Sequence, residues 1–198
     1  LTDVNHIRLK VYYGEVPYLF ERVKAYSKVI STIDDFKDVV QIDADFRGDG
    51  FYVLKNDIDA QGEQINHTAL LTSTSAAFTG ILDGRGYTIY NLDATAYCEY
   101  NPINRDRHTA GIFGILDGAT VRNIAFYDLK ASNSYYVAAN VLNKAKLENV
   151  YIKLEKTGIL PYGMASAINS STITMNSTLI ECDDYESVNE DLYFKEQK

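Results

Sequence analysis

The stretch "FTGILDGRGYTIYNLDA", from Phe78 to Ala94, is echoed later in the chain by "GIFGILDGATVRNIAF", from Gly111 to Phe126. Both contain Gly-Ile-Leu-Asp-Gly, which begins at Gly80 in the first copy and at Gly114 in the second. Each copy is followed by a threonine, an alternating apolar run and an asparagine. A segment that is written twice predicts a repeated structural unit, and this repeat decides the fold class.

The similarity continues past the shared pentapeptide, since Thr88–Leu92 matches Thr120–Ile124. This second match has a slightly smaller offset than the first, because the first copy contains the extra turn pair Arg85-Gly86. The two copies are therefore expected to be equivalent coils that differ by one small insertion.

Two weaker copies follow, and both have lost the pentapeptide. Leu147–Val150 matches Val121–Ile124. In the faintest copy Asn176 is aligned with Asn149, with an ambiguity of one residue. We therefore expect the repeat to continue to about residue 180.

Strand-like repeats of this length predict an all-β solenoid, because one copy cannot bury its apolar side chains alone and stacked copies can. The expected fold is a short right-handed parallel β-helix, with successive strands about 4.8 Å apart and the hand taken from the general preference of parallel crossovers. Its predicted interior consists of Ile81, Leu82, Ile89, Leu92, Ile112, Phe113, Ile115, Leu116, Val121, Ile124, Val141, Leu142, Leu147, Val150 and Ile152.

Turn residues recur at two predicted corners. Asp83-Gly84 and Asp117-Gly118 are expected at equivalent corners, since Asp bonds to nearby backbone and Gly accepts a positive φ. A second corner is expected to carry a ladder of amide side chains, because Asn tolerates the left-handed conformation and stacked amides bond to one another. Its members are Asn91, Asn123 and Asn149.

The sequence changes period in "STIDDFKDVV", Ser31–Val40, which predicts a short amphipathic helix that caps the open end of the solenoid. Before it, His6–Tyr13 and Tyr18–Ile30 alternate apolar and polar residues around the turn Gly14–Pro17, as in a β-hairpin or the end of an Ig-like domain. The predicted units are therefore 1–30, the capping helix with the repeats at 31–180, and an acidic tail or cap at 181–198.

The repeats resemble the bacterial surface-protein β-helix repeats that include the GLUG motif, over about residues 30–155. In those repeats Gly-Leu-any-Gly opens a coil, and Gly111–Gly114 fits with Ile in place of Leu. "ISTIDDFKDV" resembles their capping helix, and "VKAYSKVI" resembles the last strand of a bacterial Ig-like domain. The resemblance implies an extracellular segment of a large secreted or surface-anchored protein of Gram-positive or gut bacteria. Similar segments also occur in phage virion proteins.

Composition limits the partners. The 198 residues are 46% hydrophobic and 23% charged, with a formal net charge of −8 and no cluster of Lys and Arg. Such a surface repels phosphate backbones, so nucleic acid is not an expected partner. No segment approaches the roughly 18 consecutive apolar residues of a membrane helix, so membrane insertion is not expected either.

Two pairs of carboxylates are candidate chemical sites. If the corners of Asp83 and Asp117 are neighbours, their carboxylates could lie about 5 Å apart, as a retaining glycosidase requires. Both residues precede Gly, however, which favours turns. Asp57 and Asp59 in "NDIDAQG" offer oxygen ligands for Ca²⁺ but lack the dense ligand run of a calcium loop. The sequence therefore predicts no metal, no cofactor and a turn-capping role for Asp57.

The longest insertion between predicted coils, Ala94–Thr109, is the predicted binding loop, since loops on rigid scaffolds often carry function. Tyrosines beside arginines and an asparagine can stack on a sugar or anchor a protein contact. The residues concerned are Tyr97, Tyr100, Asn101, Arg105 and Arg107.

These observations favour a non-enzymatic extracellular adhesion or structural module of a bacterial cell-surface protein. Its expected partners are a carbohydrate or a host-surface protein, together with adjacent domains of a larger chain. Two alternatives remain open at this point. One is a polysaccharide lyase or glycoside hydrolase that uses Asp83 and Asp117, and the other is a phage virion structural or receptor-binding protein.

Overall fold

The computed structural model describes residues 6–13, 16–24, 26–41, 48–67, 77–96, 111–131, 136–142, 144–155, 163–167 and 172–181. Within these residues the chain forms one helix, α1 (Ile33–Val40), and fifteen strands. In chain order the strands are β1 (His6–Tyr13), β2 (Val16–Lys24), β3 (Lys28–Ile30), β4 (Phe51–Leu54), β5 (Ile58–Asp59), β6 (Ile81–Asp83), β7 (Thr88–Tyr90), β8 (Asp93–Ala94), β9 (Gly114–Asp117), β10 (Thr120–Ala131), β11 (Tyr136–Leu142), β12 (Lys144–Leu154), β13 (Gly163–Ala167), β14 (Thr172–Asn176) and β15 (Leu179–Glu181).

Parallel pairing stacks these strands into a solenoid. In the ten-stranded sheet the main order is β14-β12-β10-β6-β4-β3, and every neighbouring pair is parallel. A second column of the same sheet runs β5-β7-β10-β12-β15, and β9, β11 and β13 form a separate parallel sheet. The predicted parallel β-helix is confirmed as a β-solenoid of about three turns, while its right-handed winding stays a prediction.

The solenoid interior contains most of the side chains that the alternating pattern selected. Ile81 is half-buried at an outward position of β6, and Val141 and Leu142 lie in β11, where the structure describes the backbone. The ring of Phe78 adds to the interior, 5.6 Å from the ring of Phe113. The predicted interior residues that are buried are Leu82, Ile89, Leu92, Ile112, Phe113, Ile115, Leu116, Val121, Ile124, Leu147, Val150 and Ile152.

The two GILDG copies do not turn the same corner, so the predicted equivalence is wrong. Ile81 pairs with Thr120, and not with its counterpart in the sequence alignment, Ile115. Ile115 belongs to the three-stranded sheet and pairs with Asn140. The second copy therefore lies one strand earlier in its coil than the first. The same pentapeptide suits both places because Asp-Gly is favoured at any tight turn.

The second half of the alignment is displaced as well. Thr88 pairs with Ala125 and not with Thr120. Both segments alternate buried and outward residues, so a shift by a few positions leaves a plausible match in sequence. Only the pairing between strands distinguishes the two registers.

The alignment of the later copies is more accurate. Val121 pairs with Leu147, which confirms the predicted match between these two coils. In the last copy Glu148 pairs with Asn176, so Ser177 is the counterpart of Asn149. Ser177 has a φ of 48°, close to the 55° of Asn149. The one-residue ambiguity is thus resolved in favour of Ser177.

Helix α1 caps the solenoid as predicted. Thr32 accepts a hydrogen bond from the Asp35 amide at 3.1 Å, and the Asp35 side chain accepts from the Thr32 amide at 3.2 Å, which completes a capping box. Phe36, Val39 and Val40 are buried. The ring of Phe36 lies 6.1 Å from that of Phe126, so the helix covers apolar residues of the interior.

The N-terminal hairpin is confirmed as the antiparallel pair of β1 and β2. The strand predicted over 18–30, however, is interrupted: β2 ends at Lys24, and the separate strand β3 pairs in parallel with β4. Residues 28–30 therefore belong to the solenoid sheet, at its edge. The predicted tail beyond Glu181 lies outside the described residues.

Candidate functional site

The first candidate acid, Asp83, is part of a hydrogen-bond network where β6 ends. Its carboxylate accepts from Arg122 Nε at 2.8 Å, from the Arg85 amide at 2.9 Å and from Asn123 Nδ2 at 3.2 Å. Partial burial acts to raise the pKa of Asp83, but the bonds from Arg85, Asn123 and Arg122 outweigh it and lower the pKa. Asp83 is therefore an ionised turn residue that bonds to the next coil.

The second candidate acid, Asp117, ends β9 in the other sheet. Its backbone amide donates to the carbonyl of Phe78 at 2.9 Å, and Gly118 after it has a φ of 69°. Because Asp83 pairs with Arg122 and Asp117 pairs with Leu142, the two carboxylates are not at neighbouring equivalent corners. The paired-carboxylate arrangement expected for a glycosidase does not follow from this fold.

Asp57 and Asp59 bond to the coil that follows them. Asp57 accepts from the Thr88 amide at 2.8 Å. Asp59 accepts from the Gln61 amide at 3.0 Å and from Asn91 Nδ2 at 2.9 Å. The local turn bond is thus made by Asp59, while Asp57 joins two coils. In the part of the chain that the structure describes, no group of three or more His, Cys, Asp or Glu residues is arranged to hold a metal.

The predicted asparagine ladder is divided between two corners. Asn149 Nδ2 donates to Asn123 Oδ1 at 3.2 Å, which confirms the contact between these two amides. Asn91 belongs to a different corner, where its backbone N–H donates to the backbone carbonyl of Tyr127 at 2.9 Å. All three residues have positive φ angles, between 52° and 55°. Their left-handed conformation is as predicted. The prediction that Asn91 belongs to this ladder is wrong.

The predicted binding loop cannot be compared with the structure. Its five candidate residues lie outside the described residues: Tyr97, Tyr100, Asn101, Arg105 and Arg107.

A different tyrosine surface lies on the second column of the ten-stranded sheet. Four strands stacked in parallel, β7, β10, β12 and β15, each contribute three residues there, of which the middle one is buried and the outer two are outward-facing. The parallel pairing aligns these triplets in register. They are Thr88-Ile89-Tyr90, Ala125-Phe126-Tyr127, Tyr151-Ile152-Lys153 and Leu179-Ile180-Glu181.

We call the residues Tyr90, Tyr127, Tyr151, Lys153 and Glu181 the tyrosine strip. The rings of Tyr90 and Tyr127 lie 6.1 Å apart with an interplanar angle of 53°, within the usual range of aromatic pairs. Lys153 Nζ lies 5.2 Å from the centroid of the Tyr127 ring, within cation–π distance. The strip therefore joins stacked strands through side-chain contacts on the outside of the solenoid.

Polar groups line the same strip. The Tyr151 hydroxyl donates to Glu181 Oε2 at 2.8 Å. Desolvation, together with this hydrogen bond and the charge of Glu181, raises the pKa of Tyr151 to about 12. The phenol is therefore protonated at neutral pH. Aromatic faces, a carboxylate and an ammonium group thus occur side by side on one rigid surface.

The strip is a site that the sequence reasoning missed. A usable signal was present, since Tyr90, Tyr127 and Tyr151 each adjoin a buried apolar residue in a strand of alternating pattern. Tyr90 could not be aligned with Tyr127, however, because the GILDG match assigned the wrong register to β7. Their proximity depends on the pairing of strands that are distant in sequence.

A cleft of about 330 Å³ lies at the N-terminal edge of the solenoid, beside α1 and β4. Its lining includes Lys28, Asp38, Asp49 and Tyr52. Lys28 Nζ is 2.8 Å from Asp38 Oδ2 and 3.1 Å from Asp35 Oδ1, so the cation of the cleft is already paired with carboxylates of the helix. The cleft is consequently a weaker candidate than the tyrosine strip.

Comparison with protein-family models, with curated proteins and with solved structures found no match for this chain. The similarity to GLUG-type repeats and to an Ig-like strand therefore stays a prediction from the residues. In the described residues, no helix combines the length and the apolar character that crossing a bilayer requires.

Proposed function

We propose that this chain is a non-enzymatic adhesion or structural module of an extracellular protein on a bacterial cell surface. The observation that carries the proposal is the tyrosine strip, a group of aromatic and polar side chains that four strands stacked in parallel hold on one face. Tyrosine offers a large contact area at a small entropic cost, because its side chain has few rotatable bonds. A solenoid presents such side chains as an extended surface.

The rigidity of the support favours recognition. Each outward residue of the strip alternates with a buried one, and Ile89, Phe126 and Ile152 are fully buried beneath it. Side chains fixed in this way lose little freedom when a partner binds, which improves affinity. The bacterial and extracellular part of the proposal is supported by the resemblance of the repeats alone.

The polysaccharide-active enzyme is the competing function, and the geometry gives it less support. Asp83 accepts bonds from Arg85, Arg122 and Asn123, which lower its pKa, whereas a general acid needs a raised pKa. Asp117 lies on a strand of the other sheet. The pair is therefore poorly suited to share one glycosidic bond.

One experiment separates the two functions. The purified chain is incubated with plant, host and bacterial polysaccharides, polymer size is followed by size-exclusion chromatography, and retention is measured on surfaces coated with the same polymers or with host matrix proteins. We expect unchanged polymer sizes and retention on at least one surface, with an unrelated protein of similar net charge as the control.

Shortening of any polymer would overturn the proposal, and the variants Asp83→Asn and Asp117→Asn would then identify the catalytic residues. Absence of retention on every surface would also count against an adhesive role.

A further inference from the structure

The tyrosine strip has a direction, which limits the shape of its ligand. Its members lie on four adjacent strands, so it extends along the solenoid axis over three interstrand spacings, about 14 Å. The rings of Tyr90, Tyr127 and Tyr151 occur on three successive coils. Tyr90 and Tyr127 are in line along the axis, whereas Tyr151 pairs with Ala125 and lies two residues to one side of that line. A ligand that touches all three must cover both positions and present flat faces at short intervals.

The chemistry of the strip indicates a hydroxyl-rich ligand. Tyrosine rings pack against the apolar faces of flat groups, and their hydroxyls form hydrogen bonds at the edge. Glu181 adds an acceptor and Lys153 adds a donor, and both are paired with tyrosines of the strip. Ala125 lies opposite Tyr151 and beside Tyr127, so a small side chain separates two rings.

Charge argues against a polyanion. The chain has a net charge of −8, and the strip itself combines one lysine with one glutamate. A polyanionic glycan or nucleic acid would meet long-range repulsion without a basic cluster to offset it. A polymer without charge meets no such repulsion.

The composition of the strip also differs from that of an apolar protein interface. In the described residues, the large hydrophobic side chains that are exposed are Tyr26 and Val29, which lie at the N-terminal edge of the sheet and outside the strip. The tyrosines of the strip are half-buried, and the strip lacks an exposed Leu, Ile or Phe at its centre, where a protein interface usually has its most apolar residues.

We infer that the tyrosine strip binds a neutral polysaccharide, whose sugar rings pack against the paired rings of Tyr90 and Tyr127 along the solenoid axis and against Tyr151 to one side of them. This inference rests on the proposed function and names its ligand class. Lys153 and Glu181 hold the strip in shape and bond to sugar hydroxyls.

Affinity gel electrophoresis tests the inference with dextran, galactomannan, xyloglucan and a mixed-linkage β-glucan as neutral probes, and with hyaluronan and polygalacturonate as polyanions. We expect at least one neutral polymer to retard the chain and the polyanions to leave its mobility unchanged. Three alanine variants test the rings one at a time: Tyr90→Ala, Tyr127→Ala and Tyr151→Ala. Each is expected to weaken binding by about tenfold, because each removes one good contact with the polymer.

Matched variants distinguish weaker binding that is caused by the loss of ring stacking from weaker binding that is caused by unfolding. Tyr127→Phe keeps the ring and is expected to stay within about threefold of the native affinity. Tyr26→Ala removes an exposed tyrosine outside the strip and should leave binding unchanged. Ala125→Leu keeps every ring but fills the space beside two of them, so it should weaken binding. Circular dichroism and thermal unfolding verify that each variant is folded.

The outcomes distinguish the possible failures. Retardation by polyanions alone, equal loss in Tyr26→Ala, or native affinity in all three alanine variants would overturn the inference. Binding to a matrix protein without binding to a neutral polymer would overturn it too, but would leave the adhesive function standing. Dimers that dissociate on Tyr127→Ala would assign the strip to self-association instead. Polymer shortening would overturn the proposed function itself.

Discussion

Arg122 Nε donates to Asp83 Oδ2 at 2.8 Å, and the same two residues are Cα partners in the parallel pairing of β10 with β6. The contact joins two coils through an ion pair that is mostly shielded on the aspartate side, where 13% of the side chain is exposed. Asp83 is thereby a structural residue of the coil junction, whereas Asp117 of the other GILDG copy lies in the three-stranded sheet.

Replacing Asp83 with Ala is expected to lower the free energy of unfolding by about 2 kcal/mol, because Arg122 and Asn123 lose a charged acceptor. The lowered pKa of Asp83 means that its contribution is present above the unfolded value of 3.8 and is lost as the pH falls below it. Urea denaturation at pH 7 and pH 3 measures both effects. A double-mutant cycle with Arg122→Ala should show coupling, and strict additivity would contradict the prediction.

Gly84 is expected to tolerate no side chain. A Cβ atom at this position would lie 2.5 Å from the carbonyl oxygen of Asn123 and 2.5 Å from Cβ of Ile124. Gly84→Ala should therefore cost about 3 kcal/mol by forcing two coils apart. Gly86→Ala is the matched control, since its Cβ would meet nothing within 4 Å and only the φ of 87° is strained. It should cost about 1 kcal/mol, and equal losses in urea denaturation would refute the steric argument.

The capping box of α1 gives a third prediction. Thr32→Ala removes the acceptor of the Asp35 amide and should lower the free energy of unfolding by about 1 kcal/mol. Thr32→Ser keeps the hydroxyl and should retain most of the stability. Thermal unfolding, monitored by circular dichroism, compares the two variants. A Ser variant as unstable as the Ala variant would show that the methyl group, and not the cap, matters.

The buried histidine predicts a pH dependence. His67 is 3% exposed, and its Nε2–H donates to the carbonyl of Gly111 at 2.9 Å. Burial lowers the pKa of His67 to about 4 from 6.5, against the opposing effect of the Gly111 bond. The neutral His67 side chain therefore makes its full contribution to the free energy of unfolding above pH 6.5. About 3 kcal/mol of that free energy is lost as the pH falls toward 4.

Urea denaturation across this pH window measures the effect. The slope of stability against pH should be smaller in His67→Gln than in the native chain. Equal slopes in the two proteins would contradict the assignment.

The tyrosine strip makes a spectroscopic prediction. One tyrosine is expected to titrate near pH 12, because desolvation and Glu181 raise the pKa of Tyr151. The raised pKa also means that the stabilising contribution of this phenol is complete below pH 10 and is lost as the pH rises toward 12. Ultraviolet difference titration measures the step. Tyr151→Phe should remove it and Glu181→Gln should move it to lower pH, whereas a step that persists in Tyr151→Phe belongs to another residue.

The amino-acid pattern alone was sufficient to predict the class of fold. Alternating triplets such as Ala125-Phe126-Tyr127 and turn residues such as Asn123 and Asn149 are local signals, because side-chain alternation and positive φ depend on each residue and its neighbours. The start of the helix was likewise readable to within one residue, since either Ser31 or Thr32 could cap it and capping residues are close in sequence to the first turn. Local patterns of this kind predicted the strands, the cap and the buried interior.

The register between neighbouring strands, and with it the set of residues in the candidate site, came from long-range packing and could not be read from local patterns. The GILDG copies aligned Thr88 with Thr120, whereas the chain pairs Thr88 with Ala125. Sequence similarity could not distinguish these registers, because Asp-Gly and Ile-rich alternation suit every corner and every strand of a solenoid. The register is set by how whole coils pack their interiors. The pairing of Tyr90 with Tyr127, and of Tyr151 with Ala125, is a consequence of that packing, which places residues from separate strands side by side.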